Sequence, residues 1–388
     1  MIKSVPLSEV VHVAMGSAPP GESYNVTGQG VPMIAGAGDY GAQYPQPKKW
    51  TTAPTRVTEI GDLIVCVRAT IGDLNWADKI YCLGRGVAGL RAKEGKLDIK
   101  YAAHYINSKK DELSKLGAGS TFLAIRRNDL EEFPIPLPPL GEQKRIAAIL
   151  DRADAIRRKR QQAIKLADDF LRATFLDMFG DPVTNPKRWP RVPLKDVLSR
   201  IDSGWSPKCS DRSPSEDEWG VLKLGSVTTC EFIDKESKAL PSGLNPRPEL
   251  EVKYGDLLFT RKNTYDLVAA CALVHSTRSK LMLSDLIFRL KIKDKSKLNR
   301  AYLWALLTHA GKRKQIQGLA GGAAGSMPNI SKSRLLEHEI EVPDHELQEK
   351  FDFVLSKSRS IKNKVVSGIL EAELAFNSLT QRAFRGEL

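Results

Sequence analysis

From Gly141 to about Met178, and again from Asp344 to about Phe384, apolar positions recur in steps of three and four with no internal proline. That period predicts two helices of about 38 to 41 residues, each roughly 60 Å long at 1.5 Å per residue. In alternating steps the first seam reads Ile146, Ile149, Ala153, Ile156, Arg160, Ala163, Ala167, Phe170 and Thr174. The second reads Phe351, Val354, Ser358, Ile361, Val365, Gly368, Ala372, Ala375 and Leu379. Small residues align with small ones: Ala153 with Ser358, Ala163 with Gly368, Ala167 with Ala372. Such seams permit close approach, which predicts an antiparallel coiled coil about a pseudo-two-fold axis. The alternative is two helices each packed on its own domain. Helices so much longer than the usual ~12 residues read as a spacer.

Between the helical stretches the pattern changes to short apolar runs bounded by glycine and proline, and it repeats. Leu7-Ser8-Glu9-Val10 matches Leu194-Lys195-Asp196-Val197, and each is followed by a turn, Gly16 to Pro19 and Gly204 to Pro207. Gly61-Asp62-Leu63-Ile64 matches Gly255-Asp256-Leu257-Leu258, a turn feeding a run that predicts a buried strand. A helix is predicted after Asp98 (Leu97 to Ile106) and after Asn299 (Leu298 to Leu307), both residues being good N-caps. Ile125, Leu130, Ile135, Leu137 and Pro138 recur as Ile330, Leu335, Ile340, Val342 and Pro343, about 205 residues later. The chain therefore divides into a first domain (1–137), a first long helix (138–180), a second domain (181–340) and a second long helix (341–388). The fold class is mixed α/β (α+β), in two pseudo-repeated copies separated by the two long helices.

At 388 residues, with 41% apolar and 27% charged positions, the chain is long enough for two or three cores and too apolar to be disordered throughout. No run approaches the ~20 apolar residues of a membrane span, and no signal core opens the sequence, so a soluble, cytoplasmic protein is expected. Five scattered cysteines (Cys66, Cys82, Cys209, Cys230, Cys271) lack any Cys-x-x-Cys pair and read as reduced thiols. The six histidines show no metal-binding spacing, so no metal is expected. Lys plus Arg exceed Asp plus Glu by 59 to 46, a net +13 that points to a polyanionic partner. About +9 of it falls in residues 181–340, against about +2, +3 and −1 in the other three blocks.

Catalytic signatures are missing. Gly318 to Ser326 is glycine-rich but no lysine follows its glycines as a phosphate loop requires, and it reads as a connector. Asn185-Pro186-Lys187-Arg188 lacks the second proline and the aromatic of a base-flipping methyltransferase loop, and Pro343-Asp344 with Glu349-Lys350 opens a helix instead of forming a metal-nuclease strand. What remains is binding chemistry. The candidate DNA contacts are Tyr40, Tyr44, Lys48, Lys49, Trp50, Arg56 and Arg68 in the first half. In the second they are Trp205, Lys208, Arg212, Lys223, Arg261, Lys262, Asn263 and the run Lys312-Arg313-Lys314. Arg and Asn can address base edges bidentately, whereas Lys mostly holds phosphates. Taken singly, each is better explained as a solvated surface charge; the cluster carries the expectation. Arg157-Arg158-Lys159-Arg160 points all round its helix, and phosphate contact, a solvated patch and a partner-facing patch stay open.

Layout and wording resemble the specificity subunit of type I restriction-modification systems. The run Phe133 to Ile149 (FPIPLPPLGEQKRIAAI) carries the resemblance, followed by the long helix and Met178-Phe179-Gly180-Asp181. It recurs as Ile340 to Val354 and the closing Gln381 to Leu388. The Gly-Asp-Leu strands and the Gly119-Ser120 and Gly325-Ser326 turns are also similar. Two departures stand out: Val342-Pro343-Asp344-His345-Glu346-Leu347-Gln348 replaces the double proline and Glu-Gln, and Asp266 stands at the place of Gly72. The resemblance implies two target-recognition domains, each reading one half of a split site on double-stranded DNA, with an unread spacer set by the helices. It implies partners as well: two methyltransferase subunits, which bind S-adenosylmethionine, and a restriction or translocase subunit. This chain would be non-catalytic and hold no cofactor. The alternative from another class is a two-lobed coiled-coil scaffold for protein ligands.

Overall fold

The computed structural model describes residues 2–119, 123–321 and 327–388. The Gly119-Ser120 and Gly325-Ser326 turns and the end of the Gly318 to Ser326 stretch therefore lie wholly or partly outside the described residues. Two compact units emerge, one of Met1–Gln162 with Val365–Leu388 and one of Ala163–Lys364. The units share most of their element order, as the repeated sequence anchors require, and differ around the second sheet, which has four strands in the first unit and three in the second.

In the first unit an antiparallel sheet runs Val11–Met15, Val87–Ala92, Leu63–Cys66, Leu74–Trp76. A second sheet runs Tyr24–Asn25, Lys49–Thr51, Val31–Ile34, Cys82–Leu83, the last pair parallel. The strand Leu63–Cys66 is at most 1% exposed because both of its faces are covered. Leu63 and Val65 enter the core beneath the helix Ile99–Ser108. Ile64, pointing the other way as strand periodicity requires, joins Ile34, Tyr81 and Leu83 under the second sheet. The continuous apolar run is thus a strand sandwiched between helices and a second sheet.

The second unit repeats this plan. Its four-stranded sheet runs Leu198–Ser203, Ile287–Ile292, Leu257–Thr260, Cys271–Leu273, and its second sheet Ser237–Ala239, Gly220–Leu222, Leu281–Met282. Leu257 and Phe259 face the helical side, Leu258 the other sheet. Each unit also has a two-stranded ladder that ties its first strand to the segment leading into a long helix: Ser4–Pro6 with Pro134–Pro136, and Arg191–Pro193 with Glu339–Glu341. The predicted N-caps are present: Asp98 Oδ1 accepts from Tyr101 N at 3.0 Å, and Asn299 Oδ1 from Ala301 N at 2.7 Å. The residue at the place of Gly72 is Ala269 instead of Asp266. Gly72 N donates to Cys66 O, Ala269 N to Thr260 O, and both residues have positive φ (+89° and +61°).

The long helices are Leu140–Phe179 and His345–Arg385, of 40 and 41 residues. Within the first unit Ile146, Ala147 and Leu150 share a core with Phe376 and Ala383; within the second, Phe175 and Phe179 share one with Phe351 and Leu355. The early part of one helix accompanies the late part of the other, which is antiparallel order. The seam needs correction at alternate positions. Ile156, Phe170 and Ile361 are 51%, 56% and 61% exposed, and Ala163 is exposed too. The covered stripe starts at the same residues but steps four before three: Ile146, Leu150, Ala153, Arg157, Arg160, Ile164, Ala167, Leu171, and Phe351, Leu355, Ser358, Lys362, Val365. Its polar members are held by Lys362 Nζ to Asp168 Oδ1 at 2.8 Å in the second unit and by Arg160 to Gly368 O in the first. Polar residues at seam positions made the wrong phase look more apolar. Of the remaining seam positions, Ile149, Val354, Gly368, Ala372 and Leu379 are half-buried.

Candidate nucleic-acid interface

The second sheet of the first unit carries several of the candidate contacts. Lys49 and Trp50 lie on an inner strand, Trp50 in register with Asn25 on one side and Pro32 on the other, and Lys48 precedes them. Lys48, Lys49 and Tyr44 are exposed, and Trp50 is half-buried. Among the described residues no carboxylate pairs with Lys48, Lys49, Arg56 or Arg68, so these cations keep their charge for an outside partner. Tyr40 is a correction. It packs against the cluster of Ile34, Ile64 and Leu83, and burial pushes its phenol pKa far up, so it is a core residue.

In the second unit the candidates divide sharply. Lys208 and Lys314 are exposed and Lys262 half-buried, with no carboxylate partner among the described residues. Lys262 occupies the place of Arg68: each follows the buried central strand and forms an isolated bridge, Arg68 with Ala124 and Lys262 with Asn329. Trp205 is half-buried and lies under the guanidinium of Arg247, 4.3 Å from ring centroid to Cζ. Arg212 is held bidentately by Glu218 at 2.6 and 2.5 Å, which lowers the Glu218 pKa to about 2, and Lys223 is paired with Glu236 at 3.0 Å.

Three further candidates are structural. Lys312 is 3% exposed and its Nζ lies 2.8 Å from Glu341, itself 2% exposed, which also takes Arg191 Nε at 3.0 Å. Arg313 donates to the carbonyls of Asp266 and Val268 at 3.0 and 3.4 Å. Asn263 is 5% exposed and its Oδ1 accepts from Thr264 N. Arg261 is intermediate in kind: its Nε donates to Asn329 Oδ1 at 3.1 Å and its Cζ sits 5.0 Å from the Phe288 ring centroid. A basic tripeptide on the short helix Ala310–Gln317 thus sends one side chain into the core, one to loop carbonyls and one to solvent, as a 100° step demands.

Chemistry of other kinds finds little footing. Among the described residues no three His, Cys, Asp or Glu side chains come together as a metal site, and no helix is long and apolar enough to cross a membrane. All five cysteines are free thiols. Burial, with Arg359 and Arg300 nearby, pushes the His275 pKa down to about 3; burial beside Lys312 pushes that of His338 down to about 4. Both imidazoles are neutral near pH 7 and poorly placed to move protons.

Two features escaped the sequence reading. Gln143, 1% exposed, donates from Nε2 to Lys96 O (3.1 Å) and Pro138 O (2.9 Å) and accepts at Oε1 from Asp98 N (2.9 Å). Gln348, 0% exposed, makes the same three bonds to Lys297 O (3.1 Å), Pro343 O (2.7 Å) and Asn299 N (2.8 Å). Each glutamine fastens the first turn of a long helix to the N-cap of the unit's own helix. The second junction, which reads as a departure, keeps the one residue that matters, and the signal was a glutamine five positions after the proline in both copies. The other missed feature is Arg247, whose signal was the tripeptide Pro246-Arg247-Pro248.

Residues 2–166 match the family model of the type I restriction modification DNA specificity domain. A putative type I restriction enzyme MjaX specificity subunit of Methanocaldococcus jannaschii is 40% identical over 158 residues, 40% of this chain and 37% of that protein. The type I restriction enzyme EcoEI specificity subunit of Escherichia coli is 36% identical over 170 residues, 44% of this chain and 28% of that protein. These matches therefore span well under half of the two relatives' own length. The whole chain has the fold of the S subunit of a type I restriction-modification system from M. genitalium, with a TM-score of 0.66 at 15% identity, covering 99% of this chain and 96% of that one.

Proposed function

We propose that this chain, whose residues 2–166 match the type I specificity-domain model, is the non-catalytic DNA-reading subunit of a type I restriction-modification complex. Each unit's recognition domain reads one half of a bipartite site on double-stranded DNA. The long helices set the unread gap and dock two methyltransferase subunits, which bring S-adenosylmethionine, and a restriction or translocase subunit completes the assembly in the cytoplasm. The observation that carries this reading is the duplication of one two-sheet domain, each copy presenting cations without carboxylate partners among the described residues, together with aromatics. In the first copy these are Tyr44, Lys48, Lys49, Trp50, Arg56 and Arg68; in the second, Trp205, Lys208, Lys262 and Lys314. Unpaired cations on a loop-rich surface supply phosphate affinity, while the planar and bidentate groups among them supply selectivity.

The boundaries we assign are 1–137 and 181–340 for the two recognition domains and 138–180 and 341–388 for the helices. Co-expression with a methyltransferase subunit, followed by sequencing of modified adenines in the host DNA, tests the proposal. A bipartite motif with a fixed gap is expected. A stable complex that neither modifies DNA nor binds it selectively would overturn it in favour of a protein scaffold.

A further inference from the structure

We propose that Arg247, laid on the indole of Trp205 and held between two prolines, is a base-reading residue of the second recognition domain, addressing a guanine edge; this rests on the DNA-reading function above. Three other arginines of that domain are already engaged: Arg212 with Glu218, Arg261 with Asn329, Arg313 with two carbonyls. Among the described residues the Arg247 guanidinium meets only the face of Trp205, at 4.3 Å, and Arg247 is exposed. Stacking occupies the plane of the group and leaves its edge donors free.

The residue is also fixed from three sides. Pro246 and Pro248 flank it, the second barring Arg247 from the helical region, and it has φ −112° and ψ 89°. Its N–H donates to Met282 Sδ at 3.2 Å. Trp205 is itself fixed: its N–H donates to Leu283 O at 2.9 Å, and a Cβ on the preceding Gly204 would lie 2.1 Å from that oxygen, so only glycine allows the approach. The indole rests on the cluster of Val221, Leu240 and Met282. A long cation on a surface loop normally loses rotamer freedom when it binds; here that ordering is in place beforehand. A planar, pre-ordered fork with two free N–H edges fits the O6 and N7 acceptors of guanine in the major groove, which a lysine cannot bridge in the same way.

The test compares the wild-type chain with Arg247→Ala and Arg247→Lys, each in complex with methyltransferase subunits, by sequencing modified sites and by binding to DNA libraries at fixed salt. Both variants are expected to lose about tenfold or more of their preference at one G·C position of one half-site, with the other half-site and the gap unchanged. Thermal unfolding should not move, since both substitutions lie in an exposed loop. An unchanged motif in Arg247→Ala would overturn the proposal while leaving the DNA-reading function intact. So would a uniform loss of affinity that Arg247→Lys restores, which would make Arg247 a phosphate contact. A wild-type complex with no selective binding would remove the function and this inference together.

Discussion

Lys312 lies in the core with its ammonium 2.8 Å from Glu341, whereas Lys208 stands in solvent with no carboxylate partner among the described residues. Composition counts both equally, so a net charge says how much field a chain could present and not which residues present it. The two should separate in measurement. Lys312→Ala removes one of the two cations paired with the buried Glu341 carboxylate, leaving Arg191, and is expected to cost about 1–3 kcal/mol of stability, seen as an earlier urea midpoint. Lys208→Ala should leave that midpoint alone and weaken DNA binding about equally across sequences, with a shallower salt slope. A destabilised Lys208→Ala would show that Lys208 is paired within the protein. Protonation separates residues in the same way. His275 and His338 are held neutral in the folded protein, with pKa values of about 3 and 4 against about 6.5 when unfolded. Below pH 6.5 the unfolded chain binds protons that the folded one does not, so stability falls as pH drops from 6.5 toward 4. Tm recorded across that range should decline, and His275→Asn should flatten the decline; an unaltered slope would mean that His275 is solvated.

At the scale of elements, what a sequence can show is what a period can carry. The buried strands were legible because three or more consecutive apolar residues after Gly-Asp leave few alternatives, and Leu63–Cys66 and Leu257–Thr260 are both there. The long helices were legible from their period, within about two residues at either end. Their phase was not, because a seam that admits Arg157, Arg160 and Lys362 hides its polar members among surface charges. Contacts made through side-chain amides and backbone, such as those of Gln143 and Gln348, carry no hydrophobic period at all. Gln143→Leu fills the same volume but leaves two carbonyls and one N–H without partners, and about 2–4 kcal/mol should be lost. Gln348→Leu should cost a similar amount. Calorimetry of the full chain checks both, and a loss below about 0.5 kcal/mol would mean that water replaces the amide.

For the whole molecule the duplication was the most legible feature, and the identity of the residues that meet DNA the least. Repeats survive as anchors at fixed offsets, but a contact residue is defined by what its side chain fails to find within the protein, as the pairing of Arg212 and Lys223 and the freedom of Arg247 illustrate. If the helices set the unread gap, removing one heptad from each, residues 157–163 and 362–368, shortens each by about 10 Å, or about three base pairs. Sequencing of modified adenines should then show a shorter gap or no modification. An unchanged gap would separate helix length from spacing.

The glutamine at each junction bears on heredity as well as on stability. Gln143 and Gln348 grip only main-chain atoms, Lys96 O, Pro138 O and Asp98 N in one case and Lys297 O, Pro343 O and Asn299 N in the other. Such a socket is indifferent to the side chains that a reading domain displays elsewhere. If the two domains read half-sites as proposed, a genetic crossover in the few codons around Pro138 or Pro343 would deliver an intact domain to an equivalent seat, and new pairs of half-site preferences would arise by shuffling, with no need to remake either domain.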